Sequence, residues 1–399
     1  MDQHLGEIPA MSVNSGGARR ARAGHPWIFS NEVDMTPALK ALSPGTLVVA
    51  NDVHGRPLGL YAFNPHTLIA GRKFAAAAEA GVGADFLAGR LRTALALRDK
   101  LFDVPYYRLV HAEGDNLPGL IIDRFGDTIV IQANSAAMDR LLDALVAAVE
   151  MVLAPARIIL KNDSPARTME GLETWVRVVK GDEAAPVALI ENGVNFFCDP
   201  VGGQKTGWFF DHRDNRAFIS RLAAGGRVVD FYCYAGSFAL QCAAAGAAHV
   251  LAIDRSEGAL ALAEQSAVAN GVADKIEFRR ADVFAEMERL TSKSELFDVV
   301  IADPPAFVKS KKQLAAGARG YRKMTKMAAR LVRPGGFLLV ASCSHHVDPA
   351  LFGEQVRLGL ADASRGGRII RTSGAAPDHP VHQFLPETAY LKAEVHQLD

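Results

Sequence analysis

The chain has 399 residues, more than one ordinary hydrophobic core holds, so two or three domains are expected. Its 44 lysines and arginines balance its 44 aspartates and glutamates, so any nucleic-acid contact must come from local basic patches. Nothing in these residues resembles a signal peptide, no apolar run is long enough to cross a bilayer, and the four cysteines lack zinc-site spacing. We therefore expect a cytoplasmic protein with reduced thiols, no membrane partner and no metal.

Residues 1–74 have the pattern of short strands separated by turns. Asp52–Arg56 lies between two apolar runs, as the turn of a hairpin does. Pro44-Gly45 and Asn64-Pro65 mark further turns. These features predict a small β-barrel as the first domain.

Residues 75–197 begin with an alanine-rich linker and then combine helical and strand patterns. Apolar residues recur at helical spacing in 86–97 and 141–149. The segment 120–132 predicts a hairpin that turns at Gly126. Further strands are expected around residues 157–161, 174–179 and 194–197. Helices packed on one antiparallel sheet would make this a central α+β domain.

From Arg227 onward, strands alternate with helices. The helix predicted over Ser256–Asn270 begins at a capping serine and stops before Gly271. Such alternation implies βαβ units, so residues 198–399 are predicted to form a Rossmann-like α/β domain with a doubly wound, mainly parallel sheet. The predicted strands are Arg227–Tyr232, His249–Asp254, Lys275–Asp282, Phe297–Asp303, Gly336–Cys343, Arg368–Arg371 and Leu391–Gln397.

Two neighbouring strands of this domain are predicted to end in reactive side chains. One apolar run ends at Asp303, which opens the motif Asp-Pro-Pro-Ala-Phe, and another ends at Cys343. Because ligands bind beyond the carboxyl ends of strands in an open α/β sheet, the acid and the thiol should face one crevice. This pairing suits methyl transfer to a pyrimidine carbon, with Cys343 as covalent nucleophile and Asp303 forming a hydrogen bond to the ring.

The first strands of the same domain indicate a nucleotide-type site. A tight turn, Tyr232–Gly236, separates the strand that carries Asp230 from the following helix. Asp254 ends the next strand, where an acid binds ribose hydroxyls, and Asp282 ends the third, where an acid receives an adenine amino group. The alternative is that both acids merely begin helices or loops. A single glycine does not match GxGxxG, which disfavours a nicotinamide enzyme.

A basic segment follows the Asp303 motif. No acidic residue occurs between Asp303 and Asp348. Such a one-sign segment predicts contacts with RNA phosphates, although an ordinary solvated helix face is the alternative. A target base in folded RNA would have to be unpaired or flipped out. The basic residues of the segment are Lys309, Lys311, Lys312, Arg319, Arg322, Lys323, Lys326, Arg330 and Arg333. A weaker N-terminal patch comprises Arg19, Arg20 and Arg22.

Several motifs occur together along the chain: Gly24–Ser30, Gly59–Pro65, Glu113–Leu120, Gly203–Arg213, Asp303–Phe307, Ser342–Ser344 and Asp378–Pro380. Together they resemble the ribosomal RNA large-subunit methyltransferase I family, whose members are S-adenosylmethionine-dependent 5-cytosine methyltransferases. The resemblance implies an N-terminal PUA-type RNA-binding barrel and a class I methyltransferase domain. It also implies 5-methylcytosine formation in 23S ribosomal RNA, with Cys343 as nucleophile and Asp303 as its acidic partner.

The resemblance also implies where S-adenosyl-L-methionine binds. The cofactor-binding residues it indicates are Gln204, Lys205, Phe210, Asp230, Tyr232, Tyr234, Ala235, Gly236, Asp254, Arg255, Asp282, Val283 and Asp303. The basic segment and the N-terminal patch, rather than the resemblance, supply the expected contacts with ribosomal RNA, which are Arg19, Arg20, Lys309, Lys311, Lys312, Arg322 and Lys323. The oligomeric state is left open between a monomer and a homodimer.

The chain departs from the family pattern at several positions. Tyr232, Ala235 and Ser237 replace the expected Phe, Thr and Gly, and His212 stands where Gln is usual. Ala306 occupies the position at which two-cysteine RNA enzymes carry a second cysteine, so the base that releases a covalent adduct is not identified.

Two other functions are compatible with these motifs. The Asp-Pro-Pro motif with a nearby aromatic also suits methylation of a guanine ring or exocyclic nitrogen, and Cys343 would then be incidental. A non-catalytic RNA-binding protein could have kept the fold, although the intact set of acids and Cys343 argues against it. Substituting Cys343 discriminates between carbon and nitrogen chemistry, and measuring turnover discriminates between an enzyme and a binding protein.

Overall fold

The computed structural model describes residues 8–76, 81–182, 186–308 and 310–399. These residues form two compact units, each assembled from separate stretches of chain. The first unit comprises the described residues up to 182, Pro200–Trp208 and Asp378–Thr388. The second comprises Pro186–Asp199, Phe209–Pro377 and Ala389–Asp399. The three-domain division at residues 74 and 197 stays a prediction. Among the helices of the described residues, none is both long and apolar enough to span a bilayer.

The first unit begins with a five-stranded sheet in the order β1-β3-β4-β5-β2. The hairpin predicted at Asp52–Arg56 joins β3 to β4, and the Asp52 carboxylate fixes the turn by accepting hydrogen bonds from the amides of His54 and Arg56, both at 2.9 Å. The elements are β1 (Ala10–Ser12), α1 (Ser15–Arg22), β2 (Trp27–Phe29), α2 (Pro37–Lys40), β3 (Thr46–Asn51), β4 (Pro57–Phe63) and β5 (Ile69–Ala75).

Helix α1 was not predicted, because a segment with two glycines and three arginines has the composition of a loop. Asn14 caps it by accepting a hydrogen bond from the amide of Gly17 at 2.9 Å. Ala18 and Ala21 are buried in the core beside the sheet. Packing of this face therefore stabilises the helix, and the composition of the segment does not reveal that packing.

The rest of the first unit is a second five-stranded sheet in the order β10-β9-β8-β7-β6, with helices that share its core. The hairpin turning at Gly126 is confirmed between β7 and β8. The prediction of a purely antiparallel sheet is wrong at one pair, since α4 and α5 cross over and make β9 parallel to β8. The elements are α3 (Ala84–Leu101), β6 (Tyr106–His111), β7 (Leu120–Phe125), β8 (Thr128–Ala133), α4 (Ala136–Arg140), α5 (Leu142–Leu153), β9 (Arg157–Asn162), α6 (Pro165–Met169) and β10 (Trp175–Lys180).

The second unit is built on a seven-stranded sheet in the order β15-β14-β13-β16-β17-β19-β18. The strands from β15 to β17 are parallel, and β19 runs antiparallel to both of its neighbours. This arrangement confirms the predicted Rossmann-like fold. The elements are β11 (Val187–Glu191), β12 (Val194–Cys198), α7 (Arg213–Ser220), β13 (Arg227–Phe231), α8 (Ser237–Ala244), β14 (His249–Asp254), α9 (Glu257–Ala269), β15 (Ile276–Arg280), α10 (Val283–Ser292), β16 (Phe297–Ala302), α11 (Leu314–Arg330), β17 (Val332–Ser342), α12 (Pro349–Asp362), β18 (Gly367–Ser373) and β19 (Lys392–Leu398).

The hairpin of β11 and β12 belongs to the second unit, although its second strand was expected in the central domain. The amide of Phe197 donates a hydrogen bond to Ser266 Oγ on α9 at 2.9 Å. Glu191 at the end of β11 forms a fully buried ion pair with Arg216 on α7, with Oε1 2.6 Å from Nε. These long-range contacts tie the hairpin to the α/β sheet.

Candidate active site

Asp303 and Cys343 lie at the ends of adjacent parallel strands. Ala302, the last residue of β16, is paired in register with Val340 of β17, and Cys343 follows the end of β17. The Asp303 side chain is 26% exposed. Of the four cysteines, all described, Cys343 is partly exposed and the other three are buried. The acid and an accessible thiol therefore open onto the same edge of the sheet.

Hydrogen bonds join the two loops that carry these residues. Ser344 Oγ, which is buried, accepts a hydrogen bond from the amide of Val308 at 3.2 Å and lies 2.8 Å from the Tyr321 hydroxyl. The same hydroxyl accepts from the amide of Phe307 at 3.4 Å. Tyr321 belongs to α11, so one side chain of that helix holds both loops in place.

His212 lies next to Asp303 in the structure. Its Nε2 lies 3.2 Å from Asp303 Oδ2, and its Nδ1 lies 3.1 Å from the side-chain amide of Asn215. Ser373 Oγ donates to Asn215 Oδ1 at 2.6 Å. Burial lowers the pKa of His212, but the charge and hydrogen bond of Asp303 outweigh it and the pKa is raised overall. In the sequence, His212 is recognisable only as a departure from the family pattern.

The turn after β13 has an unusual backbone conformation. Tyr232, Tyr234 and Gly236 all have positive φ, at 62°, 49° and 74°. A Cβ on Gly236 would lie 2.4 Å from a methyl group of Leu240 and 2.9 Å from Ala263 Cβ, so this position requires glycine. The chain thereby turns tightly into the N-terminus of α8.

Carboxylates stand at the ends of the three strands beside this turn. Asp254 accepts hydrogen bonds from the amides of Tyr234 at 2.9 Å and Ser256 at 2.8 Å, while Ser256 Oγ caps α9. Asp282 caps α10 by accepting from the amide of Ala285 and still leaves its side chain 53% exposed. Asp282 therefore does begin a helix, as the alternative reading expected. Its exposed carboxylate oxygen can still accept a hydrogen bond from a ligand.

Asp230 is the buried member of this set of acids. Its Oδ2 accepts a hydrogen bond from the amide of Ala239 at 3.0 Å. Burial raises its pKa well above the ordinary value, and the nearby charges of Asp303 and Asp254 add to the effect. A cationic ligand group beside it would relieve this repulsion. A ligand with ribose hydroxyls, an adenine amino group and a positive charge therefore fits the donors and acceptors of this edge.

The remaining predicted cofactor residues are distributed over both units. Arg255 Nη1 lies 3.8 Å from Asp282, while the side chains of Ala235, Val283 and Phe210 are buried. Gln204 and Lys205 belong to Pro200–Trp208 of the first unit, and their role stays a prediction.

The predicted RNA-contacting residues differ in their surroundings. Lys311 and Lys312 precede α11 and are exposed, as is Lys323 on that helix. Arg322 instead makes two hydrogen bonds of 2.7 and 2.8 Å to Asp362 on α12. That acid lies beyond the acid-free segment, so the sequence did not reveal the pair. Lys309 lies outside the described residues.

The N-terminal arginines are also partly engaged. Arg19 is exposed on α1, whereas Arg20 Nη2 lies 2.7 Å from Glu32. Arg22 forms an ion pair with Asp52. Ion pairs inside the first unit therefore reduce the basic patch that the sequence indicated.

Comparisons with known proteins agree with this geometry. Residues 133–364 match the profile of a family described as S-adenosylmethionine-dependent methyltransferase, and residues 11–75 match a PUA-like domain. The chain is 37% identical to ribosomal RNA large subunit methyltransferase I of Photobacterium profundum over 94% of this chain and 96% of that protein. It is 35% identical to the protein of the same name from Shewanella denitrificans, over 96% and 98% of the two chains. The crystal structure of SMU.776 complexed with SAH has the same fold, with a TM-score of 0.84 and 19% identity over 98% of this chain and all of that one.

Proposed function

Because this chain belongs to the ribosomal RNA large subunit methyltransferase I family, we propose that it methylates C5 of a cytosine in large-subunit ribosomal RNA. The observation that carries the proposal is the partly exposed thiol of Cys343 beside Asp303 on adjacent strand ends. A thiol at this position has the access and the acidic neighbour that covalent pyrimidine chemistry needs.

S-adenosylmethionine is the cofactor, and when bound it supplies an electrophilic methyl group. Asp254, which two backbone amides hold in a fixed orientation, would accept the ribose hydroxyls. Asp282 would receive the adenine amino group through its exposed oxygen, and Gly236 allows the close approach of the ligand to the backbone. Asp230 would stabilise the positive charge of the cofactor from within the sheet.

At the cytosine, the thiolate of Cys343 would form a bond from Sγ to C6, and the displaced electron pair would make C5 nucleophilic. Negative charge then builds at N3, where Asp303 would hydrogen-bond the ring. His212, whose Nε2 lies 3.2 Å from Asp303 Oδ2, would share a proton with this acid and so keep one available for that bond. After C5 gains the methyl group, it loses its proton to a base, the Sγ–C6 bond breaks and the thiolate leaves.

Ribosomal RNA as the substrate is supported by the names of the full-length relatives and by the exposed lysines near α11. Lys311, Lys312 and Lys323 would bind phosphates without reading sequence. The PUA-like match and the exposed Arg19 support a second RNA contact in the first unit.

The test is methyl transfer from tritiated S-adenosylmethionine to ribosomal RNA that lacks the modification, followed by nucleoside analysis. The proposal predicts label in 5-methylcytosine for the wild type and its loss in Cys343→Ser. Cys242→Ala, in the alanine-rich helix α8, is the matched control and should retain activity. Label in a methylated guanine or amino group, undiminished in Cys343→Ser, would instead identify nitrogen chemistry. Absence of any transfer by a folded wild-type protein would favour an RNA-binding role without catalysis.

A further inference from the structure

Lys392 lies across the strand pair from the residue that precedes Cys343. It begins β19, which is antiparallel to β17, and is paired in register with Ser342. Its side chain is only 6% exposed. A buried ammonium is unusual in proteins, because removing this charge from water is costly unless nearby groups compensate it.

The compensation found in the structure is incomplete. Lys392 Nζ donates to the backbone carbonyls of Ser344 at 2.7 Å and Tyr390 at 2.8 Å. An ammonium group has three N–H donors, and these two carbonyls accept from only two of them. Within the described residues, no carboxylate forms an ion pair with this amine. The contact to Ser344 holds the amine at the loop that carries Cys343.

The charged and titratable groups around Lys392 come from several elements. Cys343 after β17 and Asp348 at the start of α12 are the two groups whose negative charge acts on it. Asp348 also accepts a hydrogen bond from the amide of Leu351, which engages it as the cap of α12. Two further groups are engaged elsewhere: Glu394 on the same strand bonds to His396, and the ring of His345 lies against that of Tyr390.

We propose that Lys392 stabilises the thiolate of Cys343 and is a positioning residue for the nucleophile. The proposal deepens the cytosine methylation proposed above and rests on it only for the identity of the reaction. Lys392 acts through the thiol and need not touch the substrate. The third ammonium donor supplies the attraction, and the two carbonyl contacts keep the amine in place.

The charge of Lys392 limits the pH range of this effect. Burial lowers the pKa of Lys392 to about 8, against the opposing influence of Cys343 and Asp348. The amine is therefore positively charged at neutral pH and loses its charge as the pH rises through that value. Stabilisation of the thiolate is accordingly present at neutral pH and fades in alkaline solution.

The test measures the rate at which iodoacetamide alkylates Cys343 as a function of pH, in the full-length protein without RNA or cofactor. Mass spectrometry of the Cys343 peptide separates this thiol from the three buried ones. Lys392→Met should move the midpoint of alkylation upward by about one pH unit, the usual effect of losing one close opposite charge. Lys293→Met, which removes an exposed lysine after α10, is the control and should match the wild type. A Lys392→Met profile that coincides with the wild type would overturn the proposal.

If Lys392→Met does not fold, the reciprocal measurement decides. The coupling between two charges is mutual, so removing the thiolate must alter the titration of the amine. Cys343→Ser should lower the titration midpoint of the Lys392 Cε signal in NMR spectra, and an unchanged midpoint would contradict the proposal. Neither readout involves methyl transfer. A negative result in these two measurements would therefore leave the proposal of cytosine methylation intact. Conversely, tritium label found on a nitrogen in the methyl-transfer experiment would leave the coupling between Lys392 and Cys343 intact.

Discussion

His212 illustrates how a single side chain can alter the chemistry of this site. It is buried at the start of α7 and contacts the carboxylate of Asp303 after β16. The contact couples the protonation of the imidazole to the charge of the acid that would bind the cytosine ring. A glutamine at the same position could donate a hydrogen bond but could not carry a proton.

The stability contributed by His212 should therefore depend on pH. Its pKa is raised in the folded protein, so its contribution is complete below the ordinary value of 6.5 and is lost as the pH rises through the folded value. We predict that His212→Gln destabilises the protein more at about pH 6 than at about pH 9. Urea unfolding at both pH values measures this difference, with the exposed His346→Gln as control. An equal loss of stability at the two pH values would contradict the raised pKa.

At the scale of elements, the turn between β13 and α8 depends on Gly236. Alanine there would combine a left-handed backbone, which costs about 1–2 kcal/mol, with the close contacts to Leu240 and Ala263. Gly236→Ala should weaken S-adenosylmethionine binding at least tenfold, because the turn must shift; that corresponds to about 1.4 kcal/mol. Isothermal titration calorimetry measures the affinity. Gly271→Ala is the matched control, because its φ is also positive but no atom lies within 4 Å of the added Cβ. Unchanged binding by Gly236→Ala would show that the turn tolerates the methyl group.

The lysines near α11 provide a second prediction at this scale. If Lys312 and Lys323 each neutralise one RNA phosphate, the double variant Lys312→Ala/Lys323→Ala should bind RNA more weakly. The slope of log affinity against log salt should fall by about 0.7–0.9 for each lost contact. Filter binding at several salt concentrations measures both quantities, and Lys293→Ala serves as control. A double variant with the wild-type slope would place the RNA elsewhere.

Local patterns predicted many elements of the second unit closely. Strand β14 has the predicted bounds, because a buried parallel strand between turn residues leaves a clear apolar run. Helix α9 begins after Ser256 as expected, since a serine side chain caps it. Helix α1 and the parallel pairing of β8 with β9 were missed, because packing and crossover connections decide them.

At the scale of the whole molecule, the chain leaves each compact unit and returns to it. Asp378, in a late segment, completes the core of the first unit. Its backbone carbonyl accepts from Arg98 Nη2 at 2.8 Å, and its carboxylate accepts from the amide of Arg108 at 3.0 Å. All three residues are buried.

Removing this carboxylate should therefore destabilise the first unit specifically. We predict that Asp378→Ala costs about 3 kcal/mol, the usual effect of leaving buried polar partners unsatisfied. Hydrogen exchange should show lost protection of the Arg108 amide and its neighbours in β6, while β13 keeps its protection. Asp362→Ala, which removes the partially exposed partner of Arg322, is the control. Equal loss of protection in β6 and β13 would mean that the two units unfold together.

The sequence located part of the candidate site because some of its residues mark strand ends. Asp303 and Cys343 each follow an apolar run, so their position at one edge of the sheet was predictable. His212 and Lys392 reach the same edge through contacts between distant segments, which no local pattern contains. The one local signal for Lys392 was its place at the start of a predicted strand, which resembles an ordinary strand boundary. The assignment of segments to units was likewise unpredictable, because it depends on contacts across the whole chain.

The measurement that tests the covalent mechanism most directly uses RNA that contains 5-fluorocytidine. A base can remove hydrogen from C5 as a proton but cannot remove fluorine as a cation. The bond between Cys343 Sγ and C6 would therefore persist after methyl transfer. We predict a protein–RNA complex that survives denaturing electrophoresis with the wild type and S-adenosylmethionine, and none with Cys343→Ala. If the wild type methylates ordinary RNA yet forms no such complex, or if Cys343→Ala forms it equally well, Cys343 is not the nucleophile.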